Sequence, residues 1–98
     1  MLAHHVLFWL KPETTEEQKI FFKGSLESLK GVETIVSIHI GTPAPIVRDV
    51  VDRTYTFSLT IMFNDLEGHN VYQVHPLHKA FLENCRQYFE KVVIYDAQ

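Results

Sequence analysis

The segment from Tyr55 to Phe63 alternates between two kinds of residue with a period of two. One face would carry Tyr55, Phe57, Leu59, Ile61 and Phe63, and the other would carry Thr56, Ser58, Thr60 and Met62. This period is typical of a β-strand that buries one face. The segment therefore predicts a sheet whose apolar face is covered by a second layer.

Three further strands are expected, at residues 3–10, 34–40 and 92–95, where branched and aromatic residues are concentrated. Thr14 and Glu17 form a capping-box pattern that predicts a helix ending at Gly31. Its apolar residues near helical spacing are Ile20, Phe21, Leu26 and Leu29.

A second helical region follows the strand that ends at Phe63. A short helix should begin at Asn64 or Asp65 and break before Pro76, and a longer one should run from Leu77 to about Phe89. The order βαββαβ predicts an α+β, ferredoxin-like fold, with a four-stranded antiparallel sheet and helices on one face.

Length and composition narrow the class of protein. The 98 residues, 46% of them hydrophobic, predict a single domain over residues 1–98. A net charge of −3 without a basic run disfavours nucleic acid as a partner. No stretch approaches the roughly 18 apolar residues of a membrane span, and the N-terminus lacks the pattern of a signal peptide. The single Cys85 predicts a buried thiol and a cytoplasmic location.

The second face of the predicted sheet is neutral and partly apolar. We expect it to combine His4, Val6, Phe8 and Leu10 with Thr56, Ser58, Thr60 and Met62. Such a face would be an exposed patch on a monomer. It predicts a homodimer in which two sheets pack together, an α+β barrel.

Several polar residues fall at positions expected to face the core. His5 shares a strand face with Leu7 and Trp9, and His78 heads an apolar helical stripe. Tyr72 lies near the end of the short helix, and Ser25 offers a small hydroxyl within the first helix. Two interpretations stay open: each group is satisfied within the core, or together they line a small-molecule pocket.

A histidine beside a phenol suits proton transfer next to a carbonyl group. We expect His78, Tyr72 and His5 to be the chemical groups of the pocket. The residues expected to line it are Leu7, Trp9, Phe22, Ser25, Ile38, Leu59, Phe81, Phe89 and Ile94. The expected ligand is a small apolar or phenolic compound.

We expect neither a metal nor a cofactor. His75 and His78 lie three residues apart, and His69 lies six residues before His75. No carboxylate falls at helical spacing from His78 on the apolar face of its helix, so a set of metal ligands is not complete. His4 and His39 are expected on the opposite sheet face.

Three segments carry a family resemblance: HHVLFWLK at the start, VYQVHPLHKAF from Val71 to Phe81, and VVIYD at the end. With the pattern YxxHPxHxxF, they resemble the stress-responsive A/B barrel domain family, called Dabb. The resemblance implies homodimers of ferredoxin-like subunits. A plant branch includes polyketide cyclases that use a histidine and a tyrosine without a cofactor. The matching positions are His78 and Tyr72, with His5 near the start and Ser25 in place of an aromatic hydroxyl.

Three functions remain open at this point. The first is a His/Tyr-lined pocket that binds a small carbonyl or phenolic compound, with cyclase- or lyase-like acid–base chemistry. The second is a stress-associated structural or interaction protein without catalysis. The third is a cofactor-independent or haem-degrading oxygenase of the related dimeric barrel type. We take the first as our prediction.

Overall fold

The structure is a computed structural model that describes all 98 residues. Its strands are β1 (Leu2–Leu10), β2 (Ile35–Gly41), β3 (Phe57–Phe63) and β4 (Phe89–Ala97). Its helices are α1 (Glu16–Glu27), α2 (Leu66–Val74) and α3 (Pro76–Cys85), and 3₁₀ turns follow α1 at Ser28–Gly31 and α3 at Arg86–Tyr88. None of the helices combines the length and apolar character needed to cross a bilayer.

The four strands form one antiparallel sheet in the order β2-β3-β1-β4. This is the predicted α+β, ferredoxin-like arrangement, with the second helical region divided at Pro76. The ends of β1 and β2 differ from the prediction by at most one residue, whereas β3 begins two residues later than predicted, at Phe57. β4 is longer than predicted and runs from Phe89 to Ala97, because α3 ends at Cys85 instead of continuing to Phe89. Cys85 is a buried free thiol, as predicted.

The start of α1 differs from the prediction by one residue. The hydroxyl of Thr15 accepts a hydrogen bond from the backbone N–H of Gln18, and the Gln18 side chain accepts one from the backbone N–H of Thr15. The helix buries Phe22 and Leu26, while Ile20 is 72% exposed and Phe21 is 48% exposed. At about 100° per residue, these two side chains lie well away from the buried face. Ile20 and Phe21 were among the apolar residues expected near helical spacing, and neither belongs to the buried face of α1.

Pairing between strands decides which face of β1 is buried. Val6 lies opposite Leu59 and Phe8 lies opposite Phe57. Residues opposite each other share a face, so the even-numbered residues of β1 point toward the helices with the apolar side of β3. His4, Val6, Phe8 and Leu10 are all buried, although they were expected on the second face.

The odd-numbered residues of β1 lie on the opposite side of the sheet. His5 pairs with Thr60 and Leu7 pairs with Ser58. His5, Leu7 and Trp9 are half-buried, and their expected position in the core is wrong. We call the sheet side without helices the outer face; it comprises Ala3, His5, Leu7, Trp9, Ser37, His39, Ser58, Thr60, Met62, Lys91, Val93 and Tyr95.

Candidate functional site

The junction between α2 and α3 brings the site together. α2 ends at Val74, and His75 both follows α2 and caps α3. Nδ1 of His75 accepts a hydrogen bond from the Leu77 backbone N–H at 3.0 Å. Pro76 has no N–H to leave unpaired and suits the first helical position. The junction therefore sets the angle between Tyr72 on α2 and His78 on α3.

A cavity of about 200 Å³ lies between the sheet and this helix pair. No lysine, arginine, aspartate or glutamate lines it, and nine of its twelve lining residues are hydrophobic. The lining residues are His4, Val6, Phe8, Leu59, Tyr72, Gln73, His78, Phe81, Leu82, Phe89, Val92 and Ile94. The composition suits a small neutral ligand.

The rings of Tyr72 and His78 are adjacent, with centroids 4.6 Å apart and planes inclined by 56°. Tyr72 is only 1% exposed. Burial raises the pKa of its phenol, so the hydroxyl stays protonated at neutral pH and can donate a hydrogen bond. The structure thus brings together the two residues that the sequence singled out first.

His78 contains a buried polar atom without a partner. Its Nδ1 makes no hydrogen bond. Burial lowers the pKa of the imidazole, the Gln73 backbone opposes that shift, and His4 and His69 lower it further. A lowered pKa keeps His78 neutral near pH 7, the form in which an imidazole can accept a proton.

His4 occupies the position in the pocket that the sequence analysis gave to His5. It is 2% exposed, and its ring contacts Tyr72 edge to face with centroids 5.7 Å apart. Nδ1 of His4 lies 2.5 Å from Oδ1 of Asp96, to which it hydrogen-bonds. Burial lowers the pKa of His4, and Asp96 partly offsets the shift. His4 and Asp96 pair across β1 and β4, a contact that local sequence patterns do not reveal.

The predicted lining residues divide into three groups. Leu59, Phe81, Phe89 and Ile94 line the cavity. Phe22 and Ile38 belong to the core beside it, where Phe22 stacks on Phe57. Leu7 and Trp9 lie on the outer face, and Trp9 Nε1–H donates to Thr54 Oγ1 at 2.8 Å.

Ser25 does not line the cavity either. Its hydroxyl donates to the Phe21 carbonyl within α1 at 3.0 Å. A serine in a helix often forms this bond to the preceding turn, so the position leaves no polar group pointing into an empty space. The structure contains two cavities, and Ser25 lines neither of them. The cavity expected at Ser25 is therefore not present.

One group of side chains has the donor types of a metal site. Ligand atoms of His4, His69 and Asp96 all lie within 4.8 Å of one another. Of the histidines weighed from the sequence, His69 belongs to this group, and His75 and His78 do not.

Comparisons with known proteins agree with the fold. Olivetolic acid cyclase from Cannabis sativa is 27% identical over 100 residues, which cover 97% of this chain and 93% of that protein. A dimeric ferredoxin-like protein of unknown function from Thermobifida fusca is 20% identical, with a TM-score of 0.83 over 98% of this chain and 88% of that chain. A hydroxynitrile lyase from Passiflora edulis is 18% identical, with a TM-score of 0.82 over 98% of this chain and 90% of that chain.

The family model that matches is the stress responsive A/B barrel domain, and the match covers residues 2–98. The match includes the four strands, the junction at Pro76 and the Tyr72–His78 pair. The chain therefore belongs to the stress responsive A/B barrel domain family.

Proposed function

We propose that the cavity binds a small neutral carbonyl or phenolic compound, and that His78 and Tyr72 perform acid–base chemistry on it without a cofactor. The observation that carries the proposal is the buried, unpartnered Nδ1 of His78 beside Tyr72 in the wall of an apolar cavity. Buried polar atoms are paired in most proteins because leaving one unpaired costs about 1–3 kcal/mol. A catalytic role explains why this chain tolerates such a group.

The proposed step is proton abstraction from the carbon next to a carbonyl. A ring nitrogen of neutral His78 takes the proton, and the C–H electron pair moves into the enolate. The Tyr72 hydroxyl donates a hydrogen bond to the developing oxyanion. His78 then returns the proton to carbon, or the enolate carbon attacks a second carbonyl and His78 returns the proton to the alkoxide oxygen that forms. The raised pKa of Tyr72 and the lowered pKa of His78 place both groups in the required protonation states.

The size of the cavity limits the ligand. A cavity of roughly 150 Å³ holds benzene, so about 200 Å³ accommodates one substituted aromatic ring. Haem is several times larger, which disfavours the haem-degrading alternative. The absence of a cationic lining residue also disfavours phosphorylated or carboxylated ligands.

The names of two relatives support an enzyme over a packing role for the pair. One is a cyclase and the other is a hydroxynitrile lyase. Participation in a stress response and a cytoplasmic location stay predictions, as does the organisation of residues 1–98 as one domain.

Deuterium exchange tests the proposal without knowledge of the natural substrate. A panel of aryl methyl ketones is incubated with the protein in D₂O, and loss of the methyl proton signal is followed by NMR. The wild-type protein should accelerate exchange above the buffer rate. His78→Asn should reduce that acceleration by about a hundredfold or more, because it removes the base. Tyr72→Phe should reduce it by about a hundredfold, because it removes the oxyanion donor.

Two matched variants control for general effects of substitution. Asp49→Asn changes an exposed residue of the loop between β2 and β3, and Tyr88→Phe removes a phenol outside the cavity. Both should exchange the ketones at the wild-type rate. Equal exchange in wild type and His78→Asn, or no acceleration with any member of the panel, would leave the packing interpretation in place.

We also propose that the chain forms a homodimer through the outer face. Lys91 is the only residue of this face with a formal charge, and its Nζ lies over the Trp9 ring at 4.6 Å from the centroid. Leu7, Met62 and Val93 contribute apolar surface elsewhere on this face. Neutral surfaces of this kind are typically buried between symmetric partners. The description of the Thermobifida fusca protein as dimeric supports the proposal.

Because the odd-numbered residues of β1 lie on the outer face, the variant that tests the dimer has to be made at one of them. Phe8, which the sequence placed at the interface, is a core residue, so its replacement by glutamate would unfold the chain. Leu7→Glu should instead convert a dimer of about twice 11.4 kDa into a folded monomer, because it buries a charge in the interface. Sedimentation at micromolar concentration measures the change. Ile20→Glu, on the exposed side of α1, should remain dimeric. A monomeric wild type would contradict the proposal.

A further inference from the structure

A cluster of three potential ligands lies beside the cavity and has no part in the proposed acid–base step. It consists of His4 on β1, His69 on α2 and Asp96 on β4, and the ligand atoms lie within 4.8 Å of one another. Three separate elements contribute one residue each. His4 is buried, His69 is half-buried and Asp96 is exposed, so the cluster extends from the interior to solvent. A dissolved ion therefore has a route to it.

The donor set fits a divalent transition metal. Two imidazole nitrogens and one carboxylate oxygen are ligands that Zn²⁺ commonly takes, with bonds of about 2.0–2.2 Å. Donors on one tetrahedral ion lie about 3.4 Å apart, so the donor atoms of the cluster, which lie within 4.8 Å of one another, would move closer by up to about 1.4 Å when an ion binds. In the metal-free protein the hydrogen bond from His4 Nδ1 to Asp96 Oδ1 holds two of the three ligands together.

The neighbours of His69 favour the tautomer that a metal ligand needs. Its Nδ1 lies 3.1 Å from the side-chain oxygen of Asn70, which accepts a hydrogen bond from an Nδ1–H group. Its Nε2 lies 3.3 Å from the side-chain nitrogen of Gln73, which is a donor. Nε2 therefore carries the lone pair, and a metal ion bound there would replace the hydrogen bond from Gln73. A hydrogen bond that fixes the second ring nitrogen is characteristic of histidines that bind metals.

We propose that His4, His69 and Asp96 form a binding site for Zn²⁺ or a similar divalent transition metal. Three protein ligands leave a position for water or for an atom of a bound compound. Because His4 lines the cavity, an ion bound here would lie next to the ligand of the proposed function. The site goes beyond that function, since the exchange reaction uses His78 and Tyr72 and should persist in a chelator.

Titration of the metal-free protein with Zn²⁺ alone, in competition with a chromophoric zinc indicator, tests the site. The wild-type chain should bind one zinc ion. His69→Ala, at a half-buried position, and Asp96→Asn, at an exposed one, should each weaken binding by at least about tenfold. Asp49→Asn, at an exposed carboxylate of the loop between β2 and β3, should bind like wild type. Circular dichroism confirms that each variant is folded.

Cobalt provides a second readout. Co²⁺ in the wild-type protein should give the visible absorption of a tetrahedral or five-coordinate ion with nitrogen and oxygen ligands, and His69→Ala should lose it. Fewer than half an equivalent of bound zinc, or unchanged affinity in both His69→Ala and Asp96→Asn, would overturn the proposal. If the wild-type protein binds zinc but does not accelerate deuterium exchange, the proposed function is contradicted and the metal site is not. If it accelerates exchange but does not bind zinc, the metal site is contradicted and the proposed function is not.

Discussion

Replacement of His78 by leucine should stabilise the protein while removing its proposed chemistry. The wild-type residue holds a buried Nδ1 without a hydrogen bond. Leaving such an atom unpaired costs about 1–3 kcal/mol, and leucine has a similar volume without a polar atom. His78 is half-buried and lies near the Gln73 backbone, so we expect the lower end of that range. A gain of about 1 kcal/mol should raise Tm by about 4–8 °C in a domain of this size.

The difference in unfolding free energy between His78→Leu and wild type should increase as the pH falls. Burial lowers the pKa of His78 from its ordinary value of 6.5, and nearby Tyr72, His4 and His69 provide no carboxylate to reverse the shift. Above pH 6.5 the histidine is neutral in both the folded and the unfolded chain. Below it, the unfolded chain binds a proton that the folded chain does not bind, so the wild-type protein loses stability. The leucine variant lacks this loss.

Urea unfolding at fixed protein concentration, at about pH 7.5 and about pH 5.5, measures both effects. Circular dichroism and the fluorescence of Trp9 should give the same transition. Asp49→Asn, an exposed control in the loop between β2 and β3, should stay within about 0.5 kcal/mol of wild type at each pH. Two results would contradict this reasoning: a His78→Leu variant that is less stable than wild type at neutral pH, or a gain in unfolding free energy that does not increase at low pH. Either would show that the His78 imidazole has a hydrogen-bond partner in the folded protein.

Two further predictions concern α1. Gly24→Ala should stabilise the protein by about 0.5–1 kcal/mol, because the added methyl group meets no atom within 4 Å and alanine favours a helix. Thr15→Ala should destabilise it by about 1 kcal/mol, because the capping box loses the hydroxyl that accepts from the Gln18 N–H. Thermal unfolding of the two variants beside wild type measures both. If Thr15→Ala leaves Tm unchanged or raises it, α1 does not begin with the capping box described here. If Gly24→Ala lowers Tm, the methyl group meets neighbours that the structure does not show.

The features that the sequence predicted correctly are those with a local physical cause. Proline lacks an N–H and cannot continue a helix, so the break at Pro76 follows from one residue. Tyr72 and His78 flank that break, and their meeting in the cavity depends mainly on the junction. The strong alternation of residues 57–63 likewise marks one face of β3 without reference to the rest of the chain.

The start of strand β4 could not be predicted from local sequence patterns. Its predicted bounds covered the apolar residues 92–95, but the strand begins at Phe89, opposite Leu10 of β1. Glu90 and Lys91 are polar and exposed at the edge of the sheet, so neither has the apolar pattern of a strand. Pairing with β1 keeps them extended, and this pairing joins residues about 80 positions apart. The Asp96 contact with His4 was missed for the same reason.

The choice between His4 and His5 depends on strand register alone. β1 has apolar residues on both faces, with Val6 and Phe8 on one and Leu7 and Trp9 on the other, so alternation gives no contrast. A shift of one residue exchanges the two faces completely. The register with β3 settles it, because Leu59 must share a face with its partner Val6. His4 thus lies in the cavity beside Asp96, and His5 lies on the outer face opposite Thr60 and Tyr95. Two adjacent histidines of one strand therefore belong to different surfaces: a change at His4 should alter the cavity and a change at His5 the proposed dimer interface.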